Sequence, residues 1–185
     1  MQPLFSVIII NWNTCRLTVE CVASVYEQNS SVPFEIIVID NNSSDDSVPV
    51  LRSKFPQVHL IRNTENVGFA RANNQAINKA KGEILLLLNS DTVLNTPEPL
   101  LVLAEYFEAH PETAVLGARL LYPDGRIQSM GRRFWSLKST IKVQLLFMSR
   151  PLWRNYHEFS SPIEADYVDG AFLAIPSRVV REVGL

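Results

Sequence analysis

The chain has 185 residues, 46% of them apolar, and a formal net charge of −2, which is enough chain to bury one substantial core. The near-neutral charge and a mean hydropathy of +0.04 exclude a basic nucleic-acid-binding surface as its organising feature. The longest apolar runs, Val7–Ile10 and Ile84–Leu88, fall far short of the roughly 20 residues of a membrane-spanning helix, and Met1–Phe5 lacks a signal peptide's basic n-region and cleavage site, so the expected location is the cytoplasm.

In chain order, Phe5–Ile10 is a nearly continuous β-branched and apolar run, as in a strand buried on both faces. Asn13-Thr14 offers a cap for a helix carrying Leu17, Cys21, Ser24/Val25 and Gln28 at helical spacing. Glu35–Asp40 is a second buried strand, Ser44–Phe55 a polar-fronted helix and Val58–Ile61 a third strand. Ala70, Asn73/Asn74, Ile77 and Ala80 carry the next helix, which Gly82 is expected to stop. Glu83–Leu88 is the fourth strand. Pro97–His110 reads as a helix with Pro97 in its first turn and Leu100, Leu103/Ala104 and Phe107 facing inward. Ala114–Gly117 reads as a fifth strand.

From about Leu120 the pattern loosens. Tyr122–Arg126 is a hairpin turn. The stretch from Arg132 to Arg154 mixes bases and aromatics, suiting either an amphipathic helix or a flap. Tyr167–Ile175 returns as a strand, and Ser177–Val183 begins a helix. Cys15 and Cys21 fall on different faces of one helix, too far apart for a disulfide, and they lack zinc-site spacing. His59, His110 and His157 share no metal-ligand spacing either.

This β-α alternation with two-sided apolar strands predicts an α/β fold: a Rossmann-like sandwich with a mostly parallel central sheet and helices on both faces. Ligands of such sheets bind beyond the carboxyl ends of the strands. Here those ends are Asn11-Trp12-Asn13, Asp40-Asn41-Asn42-Ser43, Asn63-Thr64-Glu65-Asn66 and Asn89-Ser90-Asp91, all polar and two of them acidic. Asp40 suits either a ligand hydrogen bond or a helix cap. The first strand lacks the Gly-x-Gly-x-x-Gly turn that a dinucleotide pyrophosphate needs, which argues against nicotinamide or flavin. Asp91 with Asn89 is an oxygen donor pair for a hard divalent cation, or else a simple turn. Gly68 opens a helix whose start favours anions, and Arg71 either reaches a phosphate or is a surface charge.

Taken together, Phe5-Ser-Val-Ile-Ile-Ile-Asn-Trp-Asn, Val38-Ile-Asp-Asn-Asn-Ser-Ser-Asp-Asp-Ser, Asn63-Thr-Glu-Asn-Val-Gly-Phe-Ala-Arg-Ala-Asn-Asn and Leu86-Leu-Leu-Asn-Ser-Asp-Thr resemble the signature of family 2 glycosyltransferases. These are inverting enzymes of the GT-A fold, and the resemblance is closest to the bacterial rhamnosyltransferase-like branch of cell-surface polysaccharide synthesis. It is strong over residues 5 to about 118, moderate over Tyr167–Leu185 and weak between 125 and 162.

The resemblance implies a donor that is a nucleoside-diphosphate sugar of the UDP or dTDP type, and a saccharide or lipid-linked acceptor. It implies that Asn11 lines the nucleotide pocket and that Asp40 reads the pyrimidine, with Asn42 beside it. Gly68, Arg71 and Asn74 would border the nucleotide and diphosphate. Asp91, with Asn89 in place of the first carboxylate of the familiar Asp-x-Asp pattern, would hold Mg2+ or Mn2+. Asp169 would lie on the acceptor side. Residues 1–118 would then form the donor-binding part and 119–185 the start of the acceptor part of a single domain. The family's catalytic base lies in an acidic segment after the helix that begins here at Ser177, so the expectation is a domain incomplete at its C-terminus and poor in turnover. The stretch Arg132–Trp153 is an acceptor-side helix or a contact with the inner face of the plasma membrane. The rival readings are a non-catalytic nucleotide-sugar-binding module and a sugar nucleotidyltransferase. The latter should carry a Gly-rich phosphate loop after the first strand, which is not present.

Overall fold

A computed structural model describes residues 2–128 and 162–184. The stretch from Arg132 to Arg154, and His157, lie outside the described residues. Six strands form one sheet: β1 (Phe5–Asn11), β2 (Phe34–Asp40), β3 (His59–Arg62), β4 (Ile84–Asn89), β5 (Leu116–Gly117) and β6 (Phe172–Pro176), in the order β3-β2-β1-β4-β6-β5. The pairs β1–β2, β1–β4 and β2–β3 are parallel, and β6 runs antiparallel to β4. Five helices accompany the strands: α1 (Cys15–Gln28), α2 (Ser47–Lys54), α3 (Phe69–Ile77), α4 (Pro99–Ala109) and α5 (Ser177–Val183).

The apolar runs form strands because both faces of the sheet are covered. On one face Ile8, Ile37 and Ile39 pack against Ala72 and Ala76 of α3, two small residues that let the helix sit close to the strands. Strand alternation turns Val7, Ile9, Ile36 and Val38, each at most 1% exposed, to the other face, where α1 packs on β1 and α2 on α1. Thr18, Cys21, Val22 and Val25 make the buried stripe of α1, and Leu100, Leu103 and Phe107 that of α4. Burying each large side chain of this kind stabilises the fold by roughly 1.5–3 kcal/mol.

The chain divides into two compact units, one of Met1–Leu116 with Gly170–Leu185 and the other of Gly117–Asp169. In the second, Leu121 bridges Ile127 across a turn in which Gly125 N–H donates to the Tyr122 carbonyl, as Tyr122-Pro-Asp-Gly-Arg predicts. No described helix is long and apolar enough to cross a membrane.

Several expected element ends move, each for a local reason. α3 ends at Ile77, well short of Gly82. Gly82 is instead needed for close approach, since a Cβ there would lie 2.6 Å from the Phe5 carbonyl carbon and overlap the Ser6 nitrogen. Pro99, not Pro97, occupies the first turn of α4. α2 begins at Ser47 rather than Ser44 because Ser43, Ser44 and Asp45 bond to the β1–α1 segment. Thr14 does not cap α1 with its side chain; Asp45, from 30 residues away, accepts the Cys15 N–H instead. The last strand starts at Phe172, after a turn at Gly170-Ala171, rather than at Tyr167. Cys15 and Cys21 are free thiols.

Candidate functional site

The parallel register sets Asn11 directly opposite Asp40 at the carboxyl ends of β1 and β2. Both are fully buried. Asn11 Nδ2 donates to Asp40 Oδ1 at 2.7 Å and to Ser43 Oγ at 2.9 Å. Its Oδ1 accepts from Thr18 Oγ1 at 2.6 Å and from Thr14 Oγ1 at 2.9 Å. The second Asp40 oxygen accepts the Ser43 N–H at 3.1 Å. A carboxylate only accepts, so it must face the Asn11 amide nitrogen, and this fixes the orientation of the amide. The loop after β2 then turns through Asn42, which is exposed with φ +63°, a left-handed conformation that asparagine tolerates. Asn13 (φ +55°) reaches across, its Oδ1 accepting the Ser44 N–H at 2.8 Å. Trp12, between Asn11 and Asn13 in the chain, is 54% exposed.

A second cluster closes the β3–α3 loop against β2. Asn41, 2% exposed, accepts from Asn63 Nδ2 and the Val67 N–H and donates to Asn66 Oδ1. This brings Gly68 to the start of α3 with φ +81°, a conformation that favours glycine at a position with open space around it. Arg71 is exposed and Asn74 half-buried on the first turns of α3.

The end of β4 is anchored by its backbone. Asn89 N–H donates to the Ala171 carbonyl at 3.0 Å, and the Asn89 carbonyl accepts from Thr92 N–H and the Cys21 thiol. Burial pushes the Cys21 thiol up to about 12, with the negative charge of Asp91 adding to the effect. Ser90 Oγ accepts from Thr14 Oγ1 at 3.1 Å, which ties the β4 loop to the Asn11 cluster. Asp91 is exposed and Asn89 half-buried. This donor set, one carboxylate and one amide oxygen, suits a hard cation that completes its shell with phosphate oxygens and water. Among the described residues no group of three or more His, Cys, Asp or Glu side chains is placed to hold a metal unaided.

One sheet edge therefore carries Asn11, Asp40, Asn42, Gly68, Arg71, Asn74, Asn89 and Asp91, the residues singled out in the sequence. Asp169 belongs to the second unit. The sequence profile described as Glycosyl transferase family 2 matches residues 6–174. The chain belongs to this family.

Within the family, the O-antigen biosynthesis protein RfbC of Myxococcus xanthus is 27% identical over 154 residues, 82% of this chain and 11% of that protein. The mannosyltransferase PcManGT of Pyrobaculum calidifontis, solved with GDP-Man and Mn2+, superposes with a TM-score of 0.67 at 18% identity, covering 100% of this chain and 47% of that one. S. aureus TarS in complex with UDP-GlcNAc gives 0.64 at 20% identity, covering 99% and 47%. The fold is thus the GT-A fold expected from the sequence. The chain spans about half the length of these solved structures and between 11% and 36% of the curated relatives it matches.

Sequence reading singled out the strand ends but not the side chains that join them. Thr14, Thr18, Ser43, Ser90, Asn41 and Asn66 carry those joints. Their one sequence-level signal is the density of Asn, Ser and Thr after each strand.

Proposed function

We propose that this chain is the donor-binding part of an inverting glycosyltransferase that takes a pyrimidine nucleoside-diphosphate sugar and serves cell-surface polysaccharide synthesis. The observation that carries this reading is the joining of the two acidic strand ends, Asp40 on β2 and the Asp91 loop on β4, through the β1 loop in a family 2 chain. A relative named for O-antigen synthesis and a neighbour solved with UDP-GlcNAc support it, and the neighbour solved with GDP-Man and Mn2+ supports a metal and a nucleoside-diphosphate sugar without favouring a pyrimidine.

In this reading the base lies against the exposed Trp12 ring. The Asp40 carboxylate has lone pairs beyond those used by Asn11 and Ser43. Asp40 is fully buried, so this reading requires the Ser43-Ser44 turn to move aside before the carboxylate meets the imide N–H of uracil or thymine, a donor facing an acceptor. The start of α3 and Arg71 meet the diphosphate, where free backbone N–H groups and a guanidinium stabilise negative charge. Asp91, with Asn89, is the holder of a divalent cation, which when bound neutralises charge developing on the departing diphosphate. The acceptor hydroxyl attacks the anomeric carbon from the opposite side, and a carboxylate base takes its proton. Asp169 is assigned to the acceptor side.

The test is calorimetric titration of UDP, dTDP and GDP into this chain with Mn2+ and then with EDTA. The expected result is metal-enhanced binding of UDP or dTDP, with the metal enhancement lost in Asp91→Ala and affinity reduced in Asp40→Ala. Binding of none of the three, tighter binding of GDP than of UDP and dTDP, or a metal enhancement in Asp91→Ala as large as in the native chain overturns the reading.

A further inference from the structure

The Asn11 side chain has four hydrogen-bonding positions, two on the oxygen and two on the nitrogen. All four are taken, by Asp40 and Ser43 on one side and by Thr14 and Thr18 on the other. It is also fully buried, and with every position taken it has no capacity left to bind a ligand. Thr14 Oγ1 lies 2.9 Å from Asn11 Oδ1 and 3.1 Å from Ser90 Oγ. A hydroxyl has one proton and two lone pairs, so Thr14 Oγ1 can bond both Asn11 on β1 and Ser90 in the β4 loop, one residue before Asp91, while also lying 3.1 Å from Thr18 Oγ1. Asp40, Asn11, Thr14 and Ser90 thus form a continuous side-chain path between two strand ends that share no direct bond. The Thr14 hydroxyl does not cap α1, a role that Asp45 takes, and of its partners Asn11, Thr18 and Ser90 only Ser90 lies on a distant element.

We infer that Asn11 and Thr14 are positioning residues rather than ligand contacts. Through the Thr14–Ser90 hydrogen bond they hold the Asp91 loop in register with the base-recognising end of the site. This rests on the donor-site reading above. It implies that the benefit of the metal to nucleotide binding depends on a hydroxyl at position 14, which touches neither metal nor nucleotide.

The experiment is UDP titration with Mn2+ and with EDTA, reading the ratio of the two affinities, for the native chain, Thr14→Val, Thr14→Ser, Ser90→Ala and the Thr14→Val/Ser90→Ala pair. Loss of one net hydrogen bond lowers that ratio by about five- to tenfold. Thr14→Val and Ser90→Ala should each show this loss, the double variant should be no worse than either, and Thr14→Ser should restore the native ratio. A merely structural role would lower both affinities alike and leave the ratio unchanged. A native ratio in Thr14→Val or Ser90→Ala, additive losses in the pair, or no rescue by serine overturns the inference while leaving the donor site standing. Where the native chain binds dTDP and not UDP, the same series is read with dTDP; failure to bind either overturns both. Should Thr14→Val not fold, Ser90→Ala and Thr14→Ser still decide the matter.

Discussion

The carboxylate of Asp45 accepts the Cys15 backbone N–H at 3.0 Å, so the first turn of α1 is capped from the loop that follows β2. Its other oxygen accepts the N–H and hydroxyl of Ser47 at the start of α2. One side chain thereby satisfies donors at two helix starts, where backbone N–H groups lack intrahelical partners. Partial burial pushes the Asp45 carboxyl up, but the hydrogen bonds from Ser47 and Cys15 outweigh it and hold the group below its usual value. A carboxylate lowered in the folded state adds stability above its unfolded value, and that contribution disappears as pH falls through the folded value. Asp45→Ala should therefore cost about 0.5–2 kcal/mol at pH 7. The gap to the native chain should narrow as pH falls below about 4, the unperturbed range for aspartate. Urea unfolding of both proteins from pH 7 downward checks this, and a gap that widens on acidification contradicts it.

Gly82 sits where β1 and the approach to β4 nearly touch. Its N–H donates to Ser6 Oγ at 2.8 Å, and the Ser6 hydroxyl in turn donates to Glu35 Oε1. The atoms that would meet a Cβ include Ser6 and Phe5 backbone, which cannot rotate away. Gly82→Ala should destabilise the chain by about 1–3 kcal/mol through overpacking. By contrast, alanine at a helix-stopping glycine with no neighbours would disturb only its own backbone. Thermal unfolding of Gly82→Ala beside Ser6→Ala separates the two: partial rescue in the double variant is not expected, because the closest atoms are backbone.

The strands and their order along the chain were legible because buried parallel strands are continuous apolar runs, as in Val7–Ile10 and Leu85–Leu88. The site's position followed, since ligands of such sheets lie beyond the strand ends. The joints were not legible. Thr14 reads locally as a helix cap, and only the register of Asn11 against Asp40 shows that its hydroxyl belongs to a network instead. Gly82 reads as a helix stop for the same reason, because close approach of two backbones leaves no mark in the sequence. The antiparallel entry of β6 beside β4 was equally hidden, since a short apolar strand carries no sign of its direction.

The two cysteines should differ sharply in reactivity. Burial raises the Cys15 thiol, with the Asp45 charge adding to it, but the side chain is only half-buried. Cys21 is fully buried and pushed up to about 12. The thiolate is the reactive form. A disulfide-exchange reagent at pH 8 should label one thiol per chain, more slowly than a free thiol, and the second only after unfolding in urea. Two rapid equivalents in the native protein would contradict the burial of Cys21 on α1.

Asn41 holds the β3–α3 loop through bonds to Asn63, Val67 and Asn66, and Asn66 Oδ1 also accepts the Gly68 N–H. The side chain is nearly inaccessible, so its removal leaves the Val67 N–H and two asparagine groups short of partners. Asn41→Ala should cost about 1–3 kcal/mol. The loss should be local as well as global: amide exchange at Val67 and Gly68 should quicken by more than the drop in overall stability accounts for, whereas Ile8 and Ile9 in β1 should change only with global stability. Because this loop leads directly into Gly68 and Arg71 of α3, UDP affinity should fall in the same variant. Exchange that quickens equally at Val67 and Ile9 would show that Asn41 supports the whole sheet and not this loop.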